Sequence, residues 1–328
     1  MAASRKPALS PATYRKDVKR IPTRFGYGDG VVEAGKKNEN VVVLCCDLTE
    51  STRSLQFKEA FPERFIQMGI AEQAMAAIAG GLALEGKIPF ISSYAAFSPG
   101  RNWEQIRLCA AIQNQPIKIM GAHAGVSVGP DGATHQMLED IALMRVLPNL
   151  TVISPCDYLE AKRAVEASIA IKGPVYIRFG RSATPSFTTT KTPFQIGRAE
   201  IFREGSDVAI IATGALVHQA LLAAKQLEEK QIHATVVNCH TIKPLDHKTI
   251  AAVAKTCGAV VTVEEAQITG GLGGAVAECL ARYQPTPMRF VGMQDQFGTS
   301  GDPEQLIKEF HLDQTEIVKQ VLSVLNDK

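Results

Sequence analysis

One acidic residue opens a predicted helix that is rich in small side chains. Residues Phe65 to Met68 form a short predicted strand, which runs through Gly69 into this helix. Glu72 therefore falls in the first helical turn, beyond the carboxyl end of a strand, where a helix N-terminus stabilises a carboxylate. A carboxylate held there can accept a hydrogen bond from a ligand, although an acid in a first turn is also a common helix-end feature.

A long glycine-rich loop follows another predicted strand. It covers residues 120–136 and reads MGAHAGVSVGPDGATHQ. Loops of this length are usually functional. His123, Asp131 and His135 can point polar groups into one cleft, and the alternative is a surface loop whose histidines are solvated.

Two short motifs compete with this interpretation. Gly125 to Gly129 is a formal GxSxG pattern around Ser127, but the Gly-Pro that follows prevents the helix that a nucleophile elbow requires. A serine hydrolase is thus an alternative class. Residues 28–30 read GDG, as in metal–diphosphate sites, yet they lie inside a predicted helix over residues 25–35. No cluster has metal-ligand spacing, so we predict no metal site in this chain.

The elements that must position these residues alternate between strands and helices. Unbroken apolar runs such as Val41 to Cys46 are typical of strands that are covered on both faces. Helices are predicted between them, among them residues 101–112 and 136–145. The pattern breaks at RSATPSFTTTKTPFQI, residues 181–196, and then resumes. We therefore predict an α/β protein of two domains, each a mostly parallel sheet flanked by helices.

Charge and composition exclude several classes of protein. The 328 residues include 35 basic and 33 acidic side chains, for a formal net charge of +2, and only 6% are aromatic. This balance does not favour a nucleic-acid binder. No apolar run approaches the ~18 residues of a membrane span.

The cysteines and the N-terminus indicate a cytoplasmic protein. The seven cysteines are an odd number without CxxC pairs, which favours free thiols in a reducing compartment. The N-terminal residues 1–21 are basic but lack the apolar core of a secretory signal. We interpret them as a solvated basic arm, with a transit peptide as the alternative.

Taken together, these segments resemble the C-terminal half of the transketolase family, that is, its pyrimidine-binding domain followed by its C-terminal domain. The resemblance extends from about Pro22 to the end of the chain. It is carried by the order and spacing of Pro22-Thr23-Arg24, Asp47-Leu48-Thr49-Glu50-Ser51, Gly69-Ile70-Ala71-Glu72-Gln73, Ser93-Tyr94-Ala95-Ala96-Phe97, the loop His123 to Gln136 and Thr241-Ile242-Lys243-Pro244-Leu245-Asp246.

The resemblance implies an organisation in which half of the enzyme is a separate chain. The pyrimidine-binding domain would cover residues 22–185, a linker residues 186–196, and the transketolase C-terminal domain residues 197–328. The cofactor would be thiamine diphosphate, with Mg²⁺ or Ca²⁺ held mainly by a separate N-terminal subunit in an α2β2 heterotetramer. The implied reaction moves a two-carbon ketol unit from a ketose phosphate to an aldose phosphate, without nucleic-acid or membrane partners.

The resemblance also assigns roles to individual residues. Glu72 would hydrogen-bond the pyrimidine ring nitrogen and favour the imino tautomer, and His135 would act on oxygens near the reacting carbonyl. The remaining cofactor residues would be Phe97, Tyr94 and Asp47, and the remaining sugar-phosphate residues would be Arg24, Ser51, His123, Asp131 and Arg178.

Two departures from the family pattern limit the detail. Glutamine follows Glu72 where the family usually has histidine, and a third aromatic residue is missing after Phe97. Alternatives are the beta subunit of a 2-oxoacid dehydrogenase, a deoxyxylulose-phosphate-synthase-like enzyme, and a non-catalytic assembly subunit.

Overall fold

The computed structural model of the protein describes residues 8–328 and confirms the predicted α/β architecture. The strands are β1 Arg20–Pro22, β2 Val41–Cys45, β3 Phe65–Gln67, β4 Ile88–Tyr94, β5 Lys118–Ala122, β6 Thr151–Ile153, β7 Val175–Arg178, β8 Ala183–Pro185, β9 Glu200–Arg203, β10 Val208–Ala212, β11 Ala234–Asn238, β12 Thr241–Lys243, β13 Val260–Gln267 and β14 Met288–Met293.

Helices cover both faces of the two larger sheets. They are α1 Thr23–Lys37, α2 Leu55–Ala60, α3 Glu72–Leu84, α4 Trp103–Gln105, α5 Asp140–Arg145, α6 Tyr158–Ser168, α7 Val217–Glu228, α8 His247–Cys257, α9 Leu272–Tyr283, α10 Pro303–Glu309 and α11 Gln314–Leu325. Helix α4 continues directly as a π-helix, Ile106–Ile112, and short 3₁₀ turns occur at Pro62–Arg64, Val126–Val128 and Gly214–Leu216.

The larger sheet organises the first half of the chain. Its strand order is β12-β6-β7-β5-β4-β2-β3, and all pairs are parallel except β12 with β6. Every residue of β2, β5 and β7 is buried, as expected for strands with helices on both faces. Strand β12 comes from the second half of the chain, and the sequence pattern did not indicate that it would join this sheet.

A second, five-stranded sheet belongs to the second half of the chain and has the strand order β14-β13-β10-β11-β9. It is parallel except for β9, which pairs antiparallel with β11. A third, two-stranded sheet pairs β1 with β8. No helix within residues 8–328 combines the length and apolar character needed to cross a bilayer.

The GDG segment serves helix packing rather than ligand binding. It lies inside α1, as predicted, and α1 crosses α6 at close range. A Cβ at Gly26 would approach the Tyr158 carbonyl oxygen to 2.3 Å, and one at Gly30 would approach the Lys162 carbonyl oxygen to 2.9 Å. Glycine is required at these positions because a side chain would push the two helices apart.

Two predicted helices differ from the structure. The helix predicted over residues 136–145 begins only at Asp140. Gln136 stays outside the helix because its side-chain amide donates to the Val126 and Thr299 carbonyl oxygens at 3.0 and 2.9 Å. The helix predicted over residues 101–112 begins at Trp103 and is mostly π-helical.

The N-terminal arm is only partly solvated. Arg5 and Lys6 lie outside the described residues, and Arg15, Lys16 and Lys19 are exposed. The backbone between them packs on the second half of the chain, where the His218 imidazole donates from Nε2 to the Thr13 carbonyl oxygen at 2.8 Å. Because Thr13 and Val18 are buried, the interpretation as a free arm is corrected for residues 10–19.

The start of the predicted linker is anchored by one buried carboxylate. Asp157 caps α6 by accepting from the Glu160 amide at 3.0 Å. It also accepts from the Phe187 amide at 2.9 Å and from the Thr188 amide and hydroxyl, both at 2.7 Å. The side chain thus fixes the chain on its way from the first domain to the second.

Replacing Asp157 by alanine is expected to destabilise the protein by roughly 3 kcal/mol, because a helix cap is lost and buried amides are left without acceptors. Thermal unfolding of the purified chain measures this loss. Asp302→Ala, which removes the exposed cap of α10, is the matched control and is expected to cost about 1 kcal/mol. Equal shifts in the two variants would contradict the anchoring role of Asp157.

Candidate active site

The predicted site residues converge at one edge of the larger sheet. Because neighbouring parallel strands point the same way, the segments that follow β7, β5, β4, β2 and β3 all emerge at their carboxyl ends. Glu72 follows β3, Asp47 and Ser51 follow β2, Tyr94 ends β4, and His123 follows β5. The topology therefore brings together residues that are far apart in the sequence, from Asp47 to His123.

The Glu72 carboxylate is buried but hydrogen-bonded. Its residue is 2% exposed and starts α3, as predicted. Oε1 accepts from the Ser93 hydroxyl at 3.0 Å, and Oε2 accepts from Arg101 Nη1 at 3.3 Å. The Asn102 side-chain amide donates to the Glu72 backbone carbonyl oxygen at 3.0 Å. These partners compensate the charge and fix the direction of the carboxylate.

Aromatic rings line the space between Glu72 and the glycine-rich loop. The ring centroids of Tyr94 and Phe97 lie 6.0 Å apart in a stacked arrangement, and Tyr94 stacks on His123 at 3.9 Å. His135 meets Phe97 edge-on at 5.5 Å and Tyr94 at 6.1 Å. Both loop histidines therefore belong to the cluster, which excludes the alternative of a solvated surface loop.

The environment of His123 keeps its imidazole neutral. Burial lowers the pKa of His123 to about 3, assisted by the positive charges of Arg24 and Arg181 and by His135. Its Nδ1 atom is buried and lacks a hydrogen-bond partner. A neutral imidazole with one open nitrogen can donate to, or accept from, a hydroxyl or carbonyl group of a ligand.

Two arginines form a positive patch beside these rings. Burial lowers the pKa of Arg24, and the neighbouring charges of Arg181 and Arg53 lower it further. Arg24 Nη1 donates to the Ser51 carbonyl oxygen at 2.8 Å, while its Nε is buried without a partner. Like charges held together in this way are relieved by an anion, and paired guanidinium groups suit phosphate.

Arg178 lies elsewhere, so its predicted role as a sugar-phosphate ligand is corrected. It is only 7% exposed, and its Nε donates to the Asp140 carboxylate at 2.8 Å. Its Nη2 donates to the carbonyl oxygens of Met137 and Glu265 at 3.3 and 2.7 Å. Arg178 therefore joins the first domain to β13 inside the protein and does not face the cleft.

Arg181 is the arginine that sequence reasoning missed. It follows Arg178 by three residues, is partly exposed, and donates from Nη1 to the Val128 carbonyl oxygen at 2.8 Å. The available signal was its position beyond the end of β7, in the loop at the carboxyl edge, where ligand-binding residues of parallel sheets usually lie. Ser93 and Arg101, the side-chain partners of Glu72, were also missed.

The remaining predicted residues lie at the rim. Asp47 and Asp131 are exposed, and Ser51 is partly exposed. Asp47 has a φ of 57°, and its amide donates to Gln67 Oε1 at 3.1 Å, which ties the segment after β2 to β3. These residues follow the carboxyl ends of β2 and β5, and their side chains are more exposed than those of Glu72 and His123.

Neither metal binding nor an esterase-like nucleophile is built into this edge. Within residues 8–328, no three or more histidine, cysteine, aspartate or glutamate side chains are grouped to hold a metal ion. Ser127 lies in the 3₁₀ turn Val126–Val128, and its amide donates to Glu265 Oε1 at 2.7 Å. This is not the strand–turn–helix of a nucleophile elbow.

Models of two known domains match the chain. The model described as "Transketolase, pyrimidine binding domain" matches residues 19–186, and the model described as "Transketolase, C-terminal domain" matches residues 197–317. Together they account for most of the sequence, in the order that the resemblance implied.

Relatives of similar length also match. A putative transketolase C-terminal section of Methanocaldococcus jannaschii is 45% identical over 91% of this chain and 95% of its own length. A 6-deoxy-6-sulfo-D-fructose transketolase subunit of Clostridium sp. (strain MSTE9) is 39% identical over 93% of this chain and 95% of its own length.

A solved structure described as "Split gene transketolase, inactive beta4 tetramer" superposes with a TM-score of 0.88 at 44% identity, covering 93% of this chain and 99% of that one. The agreement extends over both halves of the chain. This chain belongs to the transketolase family, as a transketolase-type subunit that corresponds to its pyrimidine-binding and C-terminal domains.

Proposed function

We propose that this chain is the C-terminal subunit of a thiamine-diphosphate-dependent transketolase, which moves a two-carbon ketol unit from a ketose phosphate to an aldose phosphate. The observation that carries the proposal is the buried Glu72 carboxylate at the carboxyl edge of a parallel sheet, which Arg101 connects to the Phe97 ring.

The residues around Glu72 fit an aminopyrimidine. When bound, thiamine diphosphate supplies the nucleophilic carbon and the electron sink that break and re-form a carbon–carbon bond of the sugar. Glu72 accepts a hydrogen bond from the pyrimidine ring nitrogen and thereby holds a proton on that atom. Phe97 and Tyr94 offer stacking surfaces, and burial makes this charge-assisted hydrogen bond stronger than it would be in water.

The histidines and the rim acid suit the polar part of a sugar. His123, neutral and with one open nitrogen, binds a hydroxyl or carbonyl oxygen, and His135 contacts oxygens near the reacting carbonyl. Asp131 at the rim accepts a hydroxyl hydrogen and helps to select the stereochemistry of the sugar. Asp47 shapes the pocket wall between β2 and β3.

The phosphate of the sugar belongs at the positive patch. Burial is the largest cause that lowers the pKa of Arg24, and the nearby positive charge of Arg181 lowers it further. A phosphate bound between them removes this repulsion and satisfies the open Nε of Arg24. The hydroxyl of Ser51, whose carbonyl oxygen already holds Arg24, is available to the same anion.

Glu72→Gln is expected to lower kcat of ketol transfer by at least about 100-fold in the complex with the N-terminal subunit, because proton placement on the ring is lost. Transfer between two pentose phosphates, followed with a coupled assay, measures this effect. Glu85→Gln, at the exposed end of the same helix, is the matched control and should keep normal activity. Wild-type turnover of Glu72→Gln would remove Glu72 from the mechanism.

Arg181→Ala is expected to raise KM for phosphorylated sugars by about tenfold or more, because a charge-assisted contact is lost, and to leave KM for the unphosphorylated sugars nearly unchanged. Steady-state kinetics with both sugar series gives the comparison. Arg282→Ala, which removes an exposed arginine of α9, controls for a general change in charge. Equal increases in KM for the two series would argue against a phosphate at Arg181.

The diphosphate and its Mg²⁺ or Ca²⁺ are assigned to a separate N-terminal subunit, in an α2β2 heterotetramer. The names of two relatives support this division, since one is a C-terminal section and the other comes from a split gene. That split-gene chain forms an inactive tetramer of β chains, which supports a requirement for the partner.

An exposed apolar surface next to Glu72 suits this partner. The surface, here called the α3 face, consists of large exposed side chains on α3, its preceding turn and the π-helix. They are Ile70 (76% exposed), Ile78 (45%), Leu84 (65%), Leu108 (42%) and Ile112 (58%). The two helices pack tightly at Gly80, where a Cβ would meet the Cys109 Cβ at 2.9 Å, so these side chains belong to one packed pair of helices. Apolar patches of this kind usually mark protein interfaces.

Ile78→Lys is expected to weaken association with the N-terminal subunit by at least about 10-fold, because a buried interface contact would be replaced by a charge. Size-exclusion chromatography with light scattering, on mixed subunits, detects the loss of the heterotetramer. Leu322→Lys, at a comparably exposed leucine of α11, is the matched control. Assembly of Ile78→Lys at wild-type concentrations would contradict the use of this face.

We also propose the domain limits 22–185 and 197–328, joined by residues 186–196, and a cytoplasmic location. The break in secondary-structure alternation between β8 and β9 supports the limits. The cysteines at positions 45, 46, 109, 156, 239, 257 and 279 are all free, which supports a reducing compartment.

A further inference from the structure

Arg101 contacts both groups that the proposed function gives to the aminopyrimidine. Its Nη1 atom donates to Glu72 Oε2 at 3.3 Å. Its guanidinium carbon lies 4.6 Å from the centroid of the Phe97 ring. The Arg101 side chain is 50% exposed, whereas the Glu72 side chain is 1% exposed, so a half-exposed cation covers a buried acid.

The guanidinium group and an aminopyrimidine have the same recognition chemistry. Each is planar, stacks on an aromatic ring, and donates N–H groups in its own plane to a carboxylate. Glu72 Oε1 is already engaged by the Ser93 hydroxyl. An aminopyrimidine would therefore have to donate to Oε2, the atom that already accepts a hydrogen bond from Arg101.

We propose that Arg101 is a positioning residue that stands in for the aminopyrimidine until the cofactor arrives; this inference rests on the proposed function. In the unloaded chain it neutralises the buried carboxylate and holds it toward Phe97. When the cofactor binds, Arg101 moves out to solvent and gives up both contacts.

The exchange is energetically reasonable in both directions. A buried carboxylate without a partner is costly, so a cation that covers it before loading preserves the geometry of the site. A half-exposed ion pair is only weakly favourable, so its release opposes cofactor binding only modestly. The apparent affinity for thiamine diphosphate is then reduced by the fraction of molecules in which Arg101 covers Glu72.

The test measures binding of thiamine diphosphate to the assembled complex by calorimetry, without turnover. Arg101→Met keeps the length of the side chain but removes its donors, and it is expected to tighten binding roughly two- to fivefold, the range of a partly exposed ion pair. Arg101→Lys keeps the charge but not the planar group, and it should fall between Arg101→Met and wild type. Arg107→Met, which removes an exposed arginine of the π-helix, controls for the loss of a positive charge near an anionic cofactor.

A second cycle isolates the competition. In a Glu72→Gln background the carboxylate is absent, so Arg101→Met should no longer tighten binding. Weaker binding by Arg101→Met than by Arg107→Met would overturn the inference, because Arg101 would then be a direct cofactor contact. Unchanged affinity would overturn it as well. If the wild-type complex assembles but binds no thiamine diphosphate, the proposed function itself fails.

Discussion

A buried carboxylate beneath an open cleft is the constraint around which this edge of the protein is built. Glu72 lies at the start of α3 with its side chain almost fully enclosed, and such a charge persists only where donors are aimed at it. Ser93 from β4 and Arg101 from the next segment supply those donors. Strands β3 and β4 are not neighbours, because β2 lies between them. The two hydrogen bonds to one acid therefore connect the segments that follow β3 and β4 across the end of β2.

The cleft is electrically divided, and the division orients a ligand. Glu72 pairs with Arg101, whereas Arg24 and Arg181 lie close enough to His123 to lower the pKa of its imidazole. Tyr94 belongs to both regions, since its ring stacks on His123 and its hydroxyl acts on the pKa of Arg24. A molecule with a hydrogen-bond donor at one end and an anion at the other has one favourable orientation here. Neutral His123 fits between the two ends without adding to the positive charge.

The sequence reveals the framework of the site better than its details, for a physical reason. Runs such as Val41–Cys45 must be apolar because both faces of a parallel sheet are covered, so the strands, and the loops at their carboxyl ends that carry polar residues, can be recognised from the sequence. The direction of a side chain at a strand end depends instead on distant partners. Arg178 points inward because it donates hydrogen bonds to the Asp140 carboxylate and the Glu265 carbonyl oxygen there. No local sequence pattern indicates those contacts. Arg181 is instead partly exposed and lies close enough to His123 to lower the pKa of that imidazole.

The second domain does more than cover the first, because it helps to hold the shape of the glycine-rich loop, residues 120–136. The loop has positive φ angles at His123, Gly125, Gly129 and Gly132. The Glu265 side chain of β13 accepts a hydrogen bond from the Ser127 backbone amide. The Thr299 carbonyl oxygen accepts one from the Gln136 side-chain amide. Glycine adopts such angles freely, but at His123 a left-handed backbone is costly and persists only when the surroundings specify it. We infer that the two domains must keep a fixed relative position for the loop to hold its shape, which favours one polypeptide for both.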